Sequence, residues 1–123
     1  MIDIQKIEKE LGITLPPHYI SFMQQFNGFA SDQGDLVDLV YTDADRFIEM
    51  NQAILPQLPE GTAKEKVIII GNSPWEVLHL INVQDATDER VYCFNDDDES
   101  LETSTLEFYD SLTDFKEAMD SLL

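Results

Sequence analysis

The sequence of 123 residues has few basic side chains, one cysteine and no long apolar run. Seven Lys and Arg residues stand against 25 Asp and Glu residues, which gives a formal net charge of −18. Nucleic-acid binding requires cationic side chains that replace counterions on the phosphates, so this charge argues against a direct nucleic-acid interface. An anionic membrane surface would repel the chain for the same reason. A strongly negative protein instead favours a positively charged partner.

The scarcity of cysteine and of long apolar runs excludes two further classes. Cys93 is the only cysteine, so the chain has no intrachain disulfide framework and no Cys-x-x-Cys metal motif. The longest apolar run, Val67–Ile70, has the length of a strand and not of a membrane-spanning helix. The first residues lack the basic and apolar regions of a secretory signal. We therefore expect a reduced, cytoplasmic protein with no membrane association.

What the chain does contain is typical of a folded domain. Its residues are 43% hydrophobic and 10% aromatic, so the acidity does not indicate disorder. The length is close to the common size of one domain. We expect one domain over residues 1–123 with one core.

Apolar residues at helical spacing predict four helices. Asp3 is a predicted N-cap, Gly12 a predicted helix end, and Ser111 with Asp114 has capping-box spacing. Prolines at the start of the second helix lack an N–H that would have no helical partner there. The predicted helices cover residues 4–11, 17–26, 42–54 and 111–122.

Short apolar runs predict the strands, and their spacing predicts the fold class. The later runs lie too close together for helical crossovers, which favours an antiparallel meander. The sequence therefore predicts an α+β fold with a mostly antiparallel sheet of about four to five strands. The predicted strands are 36–41, 67–70, 77–83 and 91–94, and residues 106–109 fit either a strand or a helical turn.

An acidic loop is the first candidate site. Residues 95–123 carry ten acidic side chains and one basic side chain, so half of the net charge lies in the last quarter of the chain. Such a charge run fits a solvated loop, a docking patch for a basic partner, or a divalent-cation site, and a solvated loop is the commonest case. The EF-hand glycine and terminal Glu spacing are missing. The residues of interest are Asp96, Asp97, Asp98, Glu99 and Glu102.

The sequence provides little for catalysis. His18 and His79 each need a nucleophile or carboxylate partner for a chemical role, and a surface or structural role is the default interpretation. Cys93 lies in an apolar strand, where a buried inert thiol is expected. We expect no catalytic residues, no metal and no cofactor.

The loop that follows Gly71 is the most unusual one. Gly71-x-Ser73 matches half of a nucleophile elbow, but Trp75 stands where that motif needs glycine. A turn between two strands is the simpler interpretation. Trp75 fits either a lid on the core or an exposed partner contact, because tryptophan is enriched at interface hot spots.

The segment from Leu11 to Gly28 resembles the SMI1/KNR4 family, also called the SUKH superfamily. The family pattern places a Leu-Pro pair, an aromatic residue and a second helix before Asn-Gly, and this chain has Leu15-Pro16, Tyr19 and Asn27-Gly28. A looser likeness continues through an apolar strand ending in Gly71-Asn72 and a C-terminal helix start at Ser111 and Phe115. The loop after Gly71 departs from the acidic or glycine-rich turn of many members.

The resemblance implies an α+β fold with helices around a central sheet, and a non-enzymatic role. Bacterial members resemble immunity proteins that neutralise a toxin encoded beside them, and eukaryotic members resemble regulators of cell-wall synthesis. The first role predicts a protein partner, a cationic toxin domain such as a nuclease, bound through the acidic loop and Trp75. The second predicts a regulatory or scaffold module. A third hypothesis, a small hydrolase or metal enzyme, would use Ser73 or the aspartates.

Overall fold

The computed structural model describes residues 1–29, 38–73, 77–95 and 97–122. Within these ranges the helices come first, apart from the last one, and the strands follow one another along the chain. None of the described helices is both long and apolar enough to cross a membrane. The elements are α1 (Ile4–Leu11), α2 (Pro17–Gln25), α3 (Ala44–Ile54), a 3-10 turn (Leu55–Gln57), β1 (Val67–Asn72), β2 (Leu78–Asn82), β3 (Val91–Phe94), β4 (Glu107–Tyr109) and α4 (Leu112–Leu122).

The helix ends follow local sequence signals. The Asp3 carboxylate accepts a hydrogen bond from the Lys6 N–H at 3.1 Å, and Gly12 ends α1 with a φ of +64°. Asp43 caps α3, and the Ser111 hydroxyl accepts the Asp114 N–H at 3.1 Å at the start of α4. The predicted caps and helix order are therefore confirmed.

The four described strands form one sheet in the order β1-β2-β3-β4, and every neighbouring pair is antiparallel. Leu80 lies opposite Ile69 and Tyr92, and Phe108 lies opposite Tyr92. Residues 107–109 are a strand, which resolves the ambiguity between a strand and a helical turn. The predicted α+β fold with an antiparallel sheet is confirmed.

The predicted strand over residues 36–41 is wrong in the part that the structure describes. Asp38 and Leu39 lie in a 3-10 turn, and residues 36 and 37 fall outside the described ranges. Leu39, Val40 and Tyr41 are nevertheless buried, and the Tyr41 N–H donates to the Ile70 carbonyl at 2.8 Å. Residues 39–41 therefore form a buried segment that crosses β1, and we call it the crossing segment. The sequence pattern was misleading because burial alone produces the same apolar run as a strand.

Gly71 is required where this segment crosses β1. A Cβ added at Gly71 would lie 2.0 Å from the Leu39 carbonyl oxygen, which only a glycine avoids. The strand register also shifts between Ile69 and Gly71. The next residue, Asn72, accepts a hydrogen bond from the Tyr41 hydroxyl at 2.6 Å. The Gly71-Asn72 pair therefore holds the crossing segment against the sheet.

The side chain of Asn51 closes the outer edge of β1. Its amide oxygen accepts the Ile69 N–H and its amide nitrogen donates to the Ile69 carbonyl, both at 2.8 Å. Asn51 also donates to the Phe47 carbonyl at 2.9 Å within α3. A side chain of α3 thus makes the two hydrogen bonds that another strand would make. This pairing blocks strand addition at β1.

His79 of β2 lies in the interface between the sheet and α4. It is 2% exposed, its Nδ1 lies 3.0 Å from the Leu39 carbonyl oxygen, and its ring centroid lies 4.7 Å from that of Phe115. Phe115 of α4 also contacts Tyr109 of β4. Burial lowers the pKa of His79 to about 4, although the hydrogen bond to Leu39 opposes that shift. His79 is therefore a neutral structural residue at pH 7.

Replacing Asn51 by Leu should destabilise the fold strongly. The variant leaves the Ile69 N–H and C=O buried without partners, at about 1–3 kcal/mol each, so we expect a loss of about 2–6 kcal/mol in the free energy of unfolding. Urea titration at pH 7 measures it. The exposed neighbour Gln52 provides the matched control, and Gln52→Leu should change stability by less than about 0.5 kcal/mol. Equal effects of the two substitutions would contradict the role of Asn51.

The stability of the protein should fall as the pH drops from about 6.5 to about 4, the ordinary and the folded pKa of His79. Between these values His79 is protonated in the unfolded state but neutral in the folded state. Protonation therefore lowers the free energy of unfolding by about 3 kcal/mol over this pH range. His79→Asn, whose amide can still donate to Leu39, should remove most of this slope in urea titrations. His18→Asn is the control and should retain most of it. If the pH dependence of stability persists in His79→Asn, the group that titrates is not His79.

Candidate functional site

The acidic loop between β3 and β4 presents some of its carboxylates to solvent and uses others internally. Asp97 and Glu99 are exposed, and in the described chain neither has a hydrogen-bond or ion-pair partner. Asp98 accepts the Asn95 N–H at 2.8 Å and closes a turn. Glu102 accepts a hydrogen bond from the Thr62 hydroxyl. Asp97 and Glu99 are therefore the described members of the predicted patch that are free to meet a partner.

Some of the predicted contact residues cannot be placed. Asp96 and Trp75 lie outside the described residues. Asp32, Asp35 and Asp38 form a second acidic group in the sequence, which is the alternative contact face if the loop is not used, and Asp32 and Asp35 also lie outside the described residues. Asp38, the remaining member of that face, is paired with Arg46 at 3.2 Å. The predicted patch is thus represented in the structure by four of its six residues.

The acidic character continues from the loop into β4. Between Arg90 and Lys116 the sequence has no basic side chain. Glu107 and Asp110 are exposed at the two ends of β4. The eight acidic residues of this interval are Asp96, Asp97, Asp98, Glu99, Glu102, Glu107, Asp110 and Asp114.

An ordered group of side chains, Asp88, Arg90, Tyr92 and Phe108, supports the exposed ring of Phe108. The Arg90 guanidinium carbon lies 5.1 Å from the ring centroids of both Tyr92 and Phe108. Asp88 accepts hydrogen bonds from Arg90 Nε at 2.8 Å and from the Tyr92 hydroxyl at 2.5 Å. Partial burial would raise the pKa of Asp88, but these hydrogen bonds outweigh it and hold the pKa at about 2. The group is therefore fixed and internally neutralised.

Phe108 itself projects to solvent. It is 46% exposed, and its ring centroid lies 6.1 Å from that of Tyr92. A large apolar side chain that stays exposed on a fixed support is a feature of interaction surfaces. Sequence reasoning missed this residue, because its support comes from the β2–β3 loop and from β3. The alternation of Arg90, just before β3, with Tyr92 in β3 is the one signal that the sequence offers.

A cavity of about 430 Å³ lies between α2 and the start of α4. Phe22 and Phe26 contribute apolar surface, and Glu89 and Lys116 contribute charges. His18 also lines it, and both its ring nitrogens are sealed from solvent with no hydrogen-bond partner among the described residues. Burial lowers the pKa of His18, and the nearby Glu89 and Asp88 charges oppose this shift only in part. The imidazole is therefore predominantly neutral at pH 7.

The other candidate chemical groups lie around a smaller cavity of about 170 Å³, lined by Ser73, His79 and Cys93 among others. Burial raises the pKa of Cys93 to about 11, and the charge of Glu107 adds to that shift. The thiol is protonated at pH 7, as predicted for an inert buried cysteine. Ser73 is 4% exposed, and its hydroxyl accepts the Val77 N–H at 3.3 Å. These two residues are poor nucleophiles in this arrangement.

Within the described ranges, no three His, Cys, Asp or Glu side chains converge to hold a metal ion. The family model described as SMI1 / KNR4 family (SUKH-1) matches residues 2–118. No curated protein and no solved structure matches the chain significantly. The family model spans nearly the whole sequence, including the Leu15-Pro16 and Gly71-Asn72 signatures, and the chain therefore belongs to the SMI1/KNR4 family (SUKH-1).

Proposed function

We propose that this protein is a cytoplasmic bacterial immunity protein, which neutralises a cationic toxin domain by stoichiometric binding. The observation that carries the proposal is the family match over residues 2–118, since bacterial members of this family resemble immunity proteins. The distribution of charge supports it. A net charge of −18, half of it after residue 94, favours a basic partner.

A nuclease is the toxin class that best fits this charge. Nucleases hold nucleic acid through a cationic surface, and an acidic protein placed on that surface excludes the substrate. Electrostatic attraction also accelerates the encounter, to about 10⁸–10⁹ M⁻¹ s⁻¹ at low salt. Fast association matters for an inhibitor that must reach the toxin before its substrate does. The exposed carboxylates of Asp97 and Glu99 are the described loop residues that we assign to this attraction.

A regulatory or scaffold module that acts through protein contacts is the second candidate, and the family's eukaryotic members support it. Gene context separates the two. A neighbouring upstream gene for a large secreted protein with a variable C-terminal domain supports immunity, whereas a cell-envelope operon supports regulation.

The association rate with the toxin domain encoded next to this gene should fall as salt is raised. The double substitution Asp97→Asn/Glu99→Gln should lower that rate by about two- to fivefold at low salt, because it removes two unpaired carboxylates from the contact region. Stopped-flow mixing of the purified proteins measures the rate, and a nuclease assay with excess immunity protein measures neutralisation.

The matched control is Glu10→Gln/Glu49→Gln, which removes the same charge from exposed positions on α1 and α3. These two helices pack on each other, and α3 packs on β1, at the opposite edge of the sheet from β4. Its association rate should stay close to that of the wild type. A salt-independent rate would contradict the electrostatic part of the proposal. The absence of any complex with the neighbouring toxin would contradict the immunity role.

A further inference from the structure

The two outer edges of the sheet differ in how they are covered. The edge at β1 is closed by the Asn51 amide and by the Tyr41 N–H. At the other edge, no hydrogen bond found in the described chain reaches the backbone of residues 107–109 from outside the sheet. We call residues 107–109 of β4 the open edge. An uncovered strand of this kind is a template for another strand.

The side chains of the open edge form a surface on both faces of the sheet. Glu107 lies opposite Cys93 and Tyr109 opposite Val91, so these side chains share one face, whereas Phe108 points to the other. A cavity of about 370 Å³ is lined by Leu106, Glu107, Phe108 and Tyr109, together with Cys93. Since all three residues of β4 line it, this cavity lies along the open edge. It offers space for alternate side chains of an added strand.

The anchor at the open edge is already ordered. Phe108 rests on Arg90, and Asp88 fixes Arg90 by hydrogen bonds at 2.8 and 3.3 Å. Because this support is fixed before binding, the Phe108 side chain itself loses little entropy when a partner packs on its ring. The pairing with Asp88 also offsets the positive charge of the guanidinium that lies over the ring.

The charge around the open edge selects the occupant. Glu107 and Asp110 are exposed at its ends. The sequence has no Lys or Arg between Arg90 and Lys116. A second copy of this chain would bring another −18 to the contact, which opposes self-association. Lys or Arg side chains of a partner would instead meet unpaired carboxylates.

We propose that the open edge is the docking surface for an extended, basic segment of the protein partner, which adds to the sheet beside β4. Backbone hydrogen bonds to residues 107–109 provide the pairing. Phe108 packs against an apolar side chain of the segment, and Glu107 with Asp110 holds its Lys or Arg side chains. The inference rests on the proposed protein-binding function and assigns to it a surface and a mode of binding.

The first experiment uses a defined probe, a capped peptide of roughly seven residues that alternates Lys and Val. Added to the ¹⁵N-labelled protein, it should shift the amide signals of Glu107, Phe108 and Tyr109 and slow their hydrogen exchange. An equivalent Glu-Val peptide should leave them unchanged. Shifts that lie elsewhere on the protein, or no shifts with the peptide at millimolar concentration, would overturn the inference.

Two variants test the contacts separately. Phe108→Ala removes the anchor and Glu107→Lys reverses a charge, and each should weaken binding of the Lys-Val peptide about tenfold. Glu49→Lys is the control, since it makes the same charge change on α3, beside the closed edge at β1. It should alter the affinity less than about twofold. If Glu107→Lys and Glu49→Lys lower the affinity for the Lys-Val peptide equally, the loss comes from the change in net charge alone, and the assigned surface is wrong.

The same variants, measured with the neighbouring toxin domain, separate this inference from the proposed function. If the wild type binds the toxin and Phe108→Ala and Glu107→Lys bind as tightly as Glu49→Lys, the surface is wrong and the function stands. If the peptide docks at the open edge but no toxin complex forms, the function is wrong and the surface stands. A dimer in sedimentation that is lost in Phe108→Ala would assign the open edge to a second copy.

Discussion

The two hydrogen bonds between the Asn51 amide and the Ile69 backbone close one of the two outer edges of the sheet. They tie α3 to β1 and satisfy the strand's outward N–H and C=O without adding a strand. The crossing segment at Leu39–Tyr41 lies beside them. It is held there by the close contact of the Leu39 carbonyl with Gly71 and by the hydrogen bond from the Tyr41 N–H to the Ile70 carbonyl. Of the two outer edges in the described part of the chain, the one at β4 is then the edge that lacks such hydrogen bonds.

Local signals were sufficient for the helices, and they failed where tertiary contacts decide the structure. Asp3, Gly12 and Ser111 each act on the chain within a few residues, so their caps were predicted correctly. The run that includes Leu39 and Tyr41 is apolar because it is buried in the core beside β1. Its hydrophobic pattern does not distinguish such a segment from a strand. Gly71 was recognised as part of a family signature, but its physical cause is a contact with Leu39, which only the folded chain shows.

The candidate site shows the same division. Composition located the negative charge at the C-terminal quarter, and the sequence named the acidic loop. It could not show that Asp98 and Glu102 serve the loop itself while Asp97 and Glu99 remain exposed. Phe108 became notable only when Asp88 and Arg90 were placed beneath it, since register and not sequence distance brings them together.

The charge and the open edge are best understood together. An uncovered strand with an exposed aromatic ring invites pairing with any extended chain, including another copy of itself. Natural sheets commonly protect such edges with charged side chains. Here the exposed carboxylates of Glu107 and Asp110 lie at the two ends of β4. Like-charged copies are repelled, whereas a basic segment gains from the same field. On the proposed docking surface, the acidity that opposes self-association would therefore also favour a positively charged partner over a neutral or acidic one.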